Sequence, residues 1–536
     1  MPIDSNTGTT RQTLAVVNAR VWTGDVKRPW ADAFLTEGER IAVVGASAEI
    51  MKRRRSDTRV IDARGQFVVP GFIDAHIHFL MGGRGLASVQ LRDAATPQEF
   101  THRIARFAAM RPPGTWITNG DWDHELWGGE LPRRDWIDDA TRDHPVWINR
   151  LDGHMSLANT AALRAAGITR DTPDVDGGTI VRAANGEPTG IFKDNAESLV
   201  RRVVPPLTTQ ELDEALDAAM KYVAARGVTS VHHMGTWEDL AVFERARAAG
   251  RLNTRLYAAV PIHTWERLRD YVADRGRGDT WLRIGALKGF VDGSLGSHTA
   301  AMLEPFTDAP NDRGLFVNTP ENLYEWTKGA DAAGLHMIVH AIGDLAIRTQ
   351  LDIYERVIRE NGDRDRRFRI EHAQHLSAPD VPRFAKLGVI ASAQPYHAID
   401  DGRWAERVIG HERAKLTYAF RALLDAGARV AFGSDWFVAP PTPLEGIYAA
   451  VTRRTLDGAN PGGWIPEQRI TVEESLRAYT RDAAFASFEE NDKGMIRSGM
   501  LADAVIIDRD ITRIPPEEIA DARVTMTIAD GRVIHE

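Results

Sequence analysis

The chain has 536 residues, 43% hydrophobic and 26% charged, enough for one large barrel and a smaller companion domain. A formal net charge of −9 gives no general attraction to nucleic acid or an anionic membrane, because phosphate binding needs a basic face. There is no cysteine, which excludes disulfides, thiolate metal sites and a cysteine nucleophile, so any metal must be held by nitrogen and oxygen.

The N-terminal MPIDSNTGTTRQ is polar and lacks the apolar core of a secretory signal, and no later stretch reaches the ~18 consecutive apolar residues of a membrane span. A cytoplasmic location is the expectation. Residues 12–69 alternate apolar and polar positions between Gly, Asn and Asp punctuation, the pattern of a small antiparallel sheet. The run Lys52, Arg53, Arg54, Arg55, beside Ser56 and Asp57, reads as a solvated helix end or turn. ADAVIIDRD and RVTMTIADGRVIHE repeat the strand pattern at the other end, so residues 1–69 and 491–536 are expected to form one β-sandwich built from both termini.

Between them, residues 70–490 alternate helix and strand. TQELDEALDAAMKYVAARG carries the helical stripe Leu212, Leu216, Ala219, Met220 and Val223, and the apolar strand GVTSVHHMG follows it. The same unit recurs before LHMIVHAIGD, RFRIEHAQ, GVIASAQP and ARVAFGSDW. Repeated βα units imply parallel strands with helices outside, an α/β fold whose strand count fits a distorted eight-stranded TIM barrel. The stretch of about 80–205 is too long for one βα unit and reads as an insertion over the barrel mouth. Within it, PVWINR is expected to supply the second barrel strand, and Asn185-Gly186 marks a hairpin.

Chemistry-bearing residues cluster at the C-terminal ends of these strands, where such barrels place their active sites. His76 and His78 are two apart, so a strand projects both imidazoles to one side; a lone pair of this kind is more often packed or exposed histidines, but the apolar, Gly-bearing VVPGFID before it favours the functional reading. Lys288 sits in an apolar run where a bare ammonium is costly. Its neutral amine could take up carbon dioxide as an anionic carbamate ligand, or it could pair conventionally with Asp292. His340 and His372 end their strands, His336 belongs to the opposite end, and His375 is a weaker neighbour. Asp435 follows VAFGS and could bind metal or cap the next helix. Together, His76, His78, Lys288, His340, His372 and Asp435 form a nitrogen and oxygen set suited to two divalent ions, with zinc the expected metal. A metal-bridging hydroxide would be the nucleophile and Asp435 the general acid and base. Of His232 and His233, adjacent on a strand, at most one can face the mouth. His154, His298 and His397 are expected substrate contacts, each equally open to a loop-bonding role. Trp122, Trp127, Trp404 and Trp436 read as packing residues.

With VVPGFIDAHIH, DGHMSLAN, GGTIVRAANGEPTGI, GVTSVHHMG, ALKGFVDGSLGSHTA, VHAIGD, RIEHAQ, SAQPYHA, GSDW and GMLADAVIID in this order, the chain resembles the amidohydrolase superfamily nearly end to end. Within it, the chain is similar to the amidohydrolase 3 branch of N-substituted formamide deformylase-like proteins. The resemblance implies a distorted TIM barrel with a two-ended β-sandwich, metal binding by the six residues above, and hydrolysis of a non-peptide C–N bond in a small amide or formamide. One departure is His298 in GSLGSHTA, where relatives commonly carry arginine, so a fixed cation has become a titratable group. Alternatives on the same scaffold are a mononuclear deaminase, a cyclic amide or lactone hydrolase, and a non-catalytic binding protein. Association into a homo-oligomer is compatible with such a barrel.

Overall fold

The computed structural model describes residues 13–536. The N-terminal stretch read for a leader lies outside them. At the centre is an eight-stranded, wholly parallel sheet: β1 (Phe72–Ile77), β2 (Val228–Met234), β3 (Arg255–Pro261), β4 (Leu282–Phe290), β5 (His336–Ala341), β6 (Arg369–His372), β7 (Ile390–Ala393) and β8 (Arg429–Phe432). Its strands are apolar because helices cover them outside and side chains fill them inside. The helix Thr209–Ala224 shows how the local sequence sets an element: Thr208 and Glu211 close a capping box at its start, and Leu216, Ala219, Met220 and Val223 bury one face. Inside the barrel, Met234, Tyr257, Ala259, Ala286 and Ile338 form a packed layer.

The barrel is distorted at one seam. No ladder joins β8 to β1 among the described residues. Instead, Asp435 N–H donates to His76 O at 2.7 Å, His78 N–H to Trp436 O at 2.7 Å, and Ser434 N–H to the Asp74 carboxylate at 2.9 Å. The closure therefore falls at the strand ends that carry His76, His78 and Asp435.

PVWINR is not the second barrel strand. Val146–Asn149 lies in a separate five-stranded sheet in the order Gly178–Arg182, Pro188–Asp194, Met155–Ala158, Val146–Asn149, Ile117–Thr118. It pairs antiparallel with Met155–Ala158 just downstream, a connection too short for the crossover helix a parallel barrel strand requires. The second position belongs to Val228–Met234, and RLYAAVP, Arg255–Pro261, follows it as the third strand and completes the count of eight. The Asn185-Gly186 hairpin joins Gly178–Arg182 to Pro188–Asp194, with Gly186 at φ 83°. This inserted sheet is tied to the barrel by Arg403 with Asp123 at 3.1 Å and by Arg407 with Glu125.

The termini build two further sheets. One orders Arg40–Gly45, Ala33–Glu37, Thr13–Val17, Arg59–Asp62; the other orders Arg532–His535, Val524–Ala529, Ala504–Ile507, Phe67–Pro70, Arg20–Trp22, Trp30–Ala31. N-terminal Phe67–Pro70 pairs antiparallel with C-terminal Ala504–Ile507, and Leu14, Val16, Val21, Phe34, Val68, Ile506 and Ile528 share one core. Lys52 and Arg53 close the helix Ser47–Arg53 on the surface. No helix among the described residues is long and apolar enough to cross a membrane.

Candidate metal centre

A cavity of about 630 Å³ opens at the C-terminal ends of the strands, lined by His78, Lys288, His340, His372, His397 and Asp435 from the barrel and by Asn149, Arg150 and His154 from the inserted sheet. Within it, single ligand atoms of His76, His78 and Asp435 lie within 4.8 Å of one another, and so do those of His372, His397 and Asp435. Asp435 belongs to both groups. Its Oδ1 is 3.4 Å from His76 Nε2 and 3.4 Å from His78 Nε2, and it is buried without a hydrogen-bond partner among the described residues. An unpaired buried carboxylate oxygen facing imidazole nitrogens fits a divalent cation, and nitrogen with oxygen donors suits zinc or its first-row neighbours.

The imidazoles are prepared for that role by what their other nitrogens touch. His76 Nδ1 donates to Glu371 at 2.5 Å, which leaves Nε2 bare toward Asp435 and toward Lys288 Nζ at 3.3 Å. His340 Nε2 donates to the Gly293 carbonyl at 3.0 Å and His372 Nδ1 to Gln394 Oε1 at 2.8 Å, leaving their second nitrogens free. Burial holds all three rings well below the usual histidine range, so they are neutral, the form that binds a metal. Burial opposes ionisation of Asp435, and a proton on the His76 or His78 ring beside it would lower its carboxyl below the usual carboxylate range. Burial also pulls Lys288 down to about 8.

Strand geometry alone does not aim every one of these groups. Register sets His372 beside Ala341, whose neighbour Val339 packs outward, so a regular pleat would turn the ring away from the mouth. A φ of 70° at His372 reverses it, bringing the ring 4.6 Å from His340 and 4.8 Å from His76. Asp435 likewise has φ 59°. Such conformations persist where the surroundings over-determine them.

The other sequence expectations divide. His154 lines the cavity, 5.0 Å from His340 ring to ring, with Nδ1 on Asp194 at 2.6 Å; that carboxylate outweighs burial and lifts it to about 9. His397, expected at the substrate, lies in the second ligand group because the short helix Pro395–Asp401 stacks it 6.5 Å from His372. His298 is not part of the cavity wall: it turns to Asp308 at 3.1 Å and packs on Phe306. His340 falls outside both ligand groups. His232 faces the barrel interior and meets Arg369 at 2.9 Å, whereas His233 accepts from Phe79 N–H and donates to Asp239. His336 is held by Tyr257 and the Arg367 carbonyl, and His375 by Thr417 and Gln374, away from the ligand atoms. Trp404 lines the cavity, while Trp436 stacks on Tyr222.

Beneath the histidines sits a pair that sequence reasoning missed. Glu371 is fully buried and gripped by Arg369 at 2.7 and 2.9 Å, and Arg369 also donates to Ser392 at 3.0 Å and to the Ala75 carbonyl. The alternation of Arg369 and Glu371 on one face of the short, wholly buried strand RIEH is the signal that marks them.

With this geometry in hand, comparison with known proteins is decisive: the amidohydrolase family profile matches residues 59–535. The chain belongs to the amidohydrolase family. This amidohydrolase is 41% identical over 507 residues to the protein LONG AFTER FAR-RED 3 of Arabidopsis thaliana, covering 92% of this chain and 87% of that protein. It is 31% identical over 555 residues to the N-substituted formamide deformylase of Arthrobacter pascens, covering 98% of each. Among solved structures it is similar to an uncharacterized metal-dependent hydrolase from Pyrococcus horikoshii, at 27% identity and TM-score 0.77, over 94% of this chain and 99% of that one. Family, fold and ligand clusters together make it a metal-dependent, amidohydrolase-type enzyme acting on carbon–nitrogen bonds.

Proposed function

We propose that this amidohydrolase cleaves a non-peptide amide or formamide C–N bond at a two-ion centre held by His76, His78, Lys288, His340, His372 and Asp435. The observation that carries the reading is Asp435 Oδ1, shared by two ligand groups and buried without a partner among the described residues. Bound divalent ions would acidify water and polarise the amide carbonyl. The rest is work for the chain. Asp435, ionised and in reach of both groups, takes the proton of the attacking water and returns it to the leaving amine. Glu371 fixes the tautomer of His76, and Gln394 that of His372. Lys288, buried and with a lowered pKa, offers a neutral amine for carbamate formation beside the bare Nε2 of His76. Similarity to the formamide deformylase supports formamides as the first substrates to assay.

Metal analysis should find about two equivalents per chain, and formate release from N-substituted formamides should follow metal content. Asp435→Asn is expected to lower kcat by roughly 10²–10⁴-fold. Lys288→Ala should lose one ion, and a density map of the native protein should show a carboxylate on Nζ. A fully active, metal-free protein would remove the proposal. A one-ion deaminase or cyclic amide hydrolase is the second reading, favoured by the position of His340 outside both ligand groups. One equivalent of metal with an unmodified Lys288 selects it.

A further inference from the structure

The short helix after β7 brings to the metal centre a histidine that the six-residue ligand set does not use. Pro395 fixes the first turn of Pro395–Asp401, and Gln394 just before it accepts from His372 Nδ1 at 2.8 Å. His397 comes three residues after Gln394, about one helical turn further on, and returns to the same ring. The planes of His372 and His397 are 10° from parallel, with centroids 6.5 Å apart. The helix holds His397 in place: Ala398 and Ile399 beside it are buried, and the Ile399 carbonyl accepts from Leu456 N–H at 3.1 Å.

Two observations separate His397 from a packed histidine. Its Nε2 is buried and meets no partner among the described residues, which is costly for a ring nitrogen unless something binds it. One ligand atom each of His397, His372 and Asp435 also lie within 4.8 Å of one another, close enough to share an ion. Asp435 can serve this group and that of His76 and His78 together, because its two oxygens address different rings. Oδ1 is 3.4 Å from His76 Nε2 and from His78 Nε2, whereas Oδ2 is 3.8 Å from His372 Nδ1. His340 is less well placed, with Nε2 spent on the Gly293 carbonyl at 3.0 Å and no membership of either group. A histidine kept for substrate would open its nitrogen to the cavity, but His397 Nε2 is closed to solvent. An ion seated among three donors needs no such opening, and two imidazoles with a carboxylate are a zinc-type donor set.

Taking the cavity as the metal hydrolase site proposed above, we propose that His397 is a metal ligand, holding the second ion together with His372 and Asp435, and is not a substrate contact. The second ion then needs nothing from His340. The test uses the full chain loaded with zinc. An anomalous-scattering map of the wild type should place an ion about 2.0–2.1 Å from His397 Nε2. Metal analysis of His397→Ala should find one ion where the wild type holds two, and chelator competition should show the ion at His76 and His78 still bound. A folded His397→Ala that keeps two ions, or that loses both together, overturns the assignment, the first because the ring binds no metal and the second because it only shapes the site. The map needs no variant, so a misfolded His397→Ala leaves the test intact. An ion at His76 and His78 with none on His397 overturns this assignment and leaves the hydrolase reading standing. No ion at either group overturns both.

Discussion

His154 shows how one pair of side chains couples the cavity to pH. Its Nδ1 lies 2.6 Å from Asp194 Oδ1, and the carboxylate overcomes the effect of burial to raise the imidazole from an ordinary 6.5 to about 9. A group whose pKa is higher folded than unfolded stabilises the fold in full below its unfolded value, and that contribution is lost as pH rises through the folded one. Comparing melting temperatures of wild type and His154→Gln from pH 6 to pH 10 should therefore show the widest gap below about 6.5, closing through about 9. Removing one member of a buried pair costs roughly 3–5 kcal/mol at the low-pH end. A gap that widens with pH would show that the ring is neutral in the fold. Glu371 makes a different demand, since it holds the His76 ring and bonds no substrate. Glu371→Gln should weaken metal binding by roughly 10–100-fold, measured by chelator competition, while a melt reports whether the Arg369 pairing has also been lost.

The helix that follows β1, Phe79–Gly85, depends on two glycines for its position. A Cβ at Gly83 would lie 2.1 Å from the Ala215 carbonyl oxygen on helix Thr209–Ala224, and one at Gly82 would lie 2.4 Å from the Trp436 ring beside Asp435. Gly83→Ala should destabilise by about 1–3 kcal/mol through helix separation. Gly82→Ala should act on metal affinity as well, because it displaces the residue next to a ligand. Equal effects on both quantities would contradict this division. Elements of this kind also show what could be read ahead of the structure. Seven of the eight barrel strands carry apolar runs visible in the sequence, and the six proposed ligand residues were found as residue types at strand ends. The second strand was misplaced because Val146–Asn149 has the composition of a barrel strand, and only the antiparallel return at Met155–Ala158 removes it. Arg255–Pro261 carries an equally apolar run, and Val146–Asn149 had taken its share of the count of eight. The Glu371 contact depends on a partner distant in sequence and the turn of His372 toward the mouth on a positive φ, and periodicity reports neither.

At the scale of the whole molecule, the barrel and the two-ended sandwich are joined at the end opposite the cavity. Arg255, the first residue of β3, is fully buried and bonds Asp503 at 2.7 and 3.0 Å and Asp530 at 3.1 Å, both aspartates lying in the C-terminal part of the sandwich. Lys493 reaches from the same segment to Ser230 of β2 at 2.6 Å, and Thr527 to the Ala224 carbonyl at 2.7 Å. A buried guanidinium shared by two carboxylates adds little net stability over apolar packing, but its removal strands the charges that it neutralised. Arg255→Met should cost roughly 3–5 kcal/mol and lower the calorimetric transition, with barrel and sandwich still unfolding together because Phe67, Val69, Val505 and Ile507 of the sandwich share a core with Phe72, Val228 and Val231 of the barrel. The metal content of the folded fraction should not change, since Arg255 begins the strand that carries Pro261 to the mouth and touches none of the ligand residues. A split into two transitions would mean that the sandwich stands on its own once unclamped. Loss of metal at an unchanged melting temperature would instead mean that the two ends of the barrel are coupled through its interior, along the line of Tyr257, His336 and Arg369.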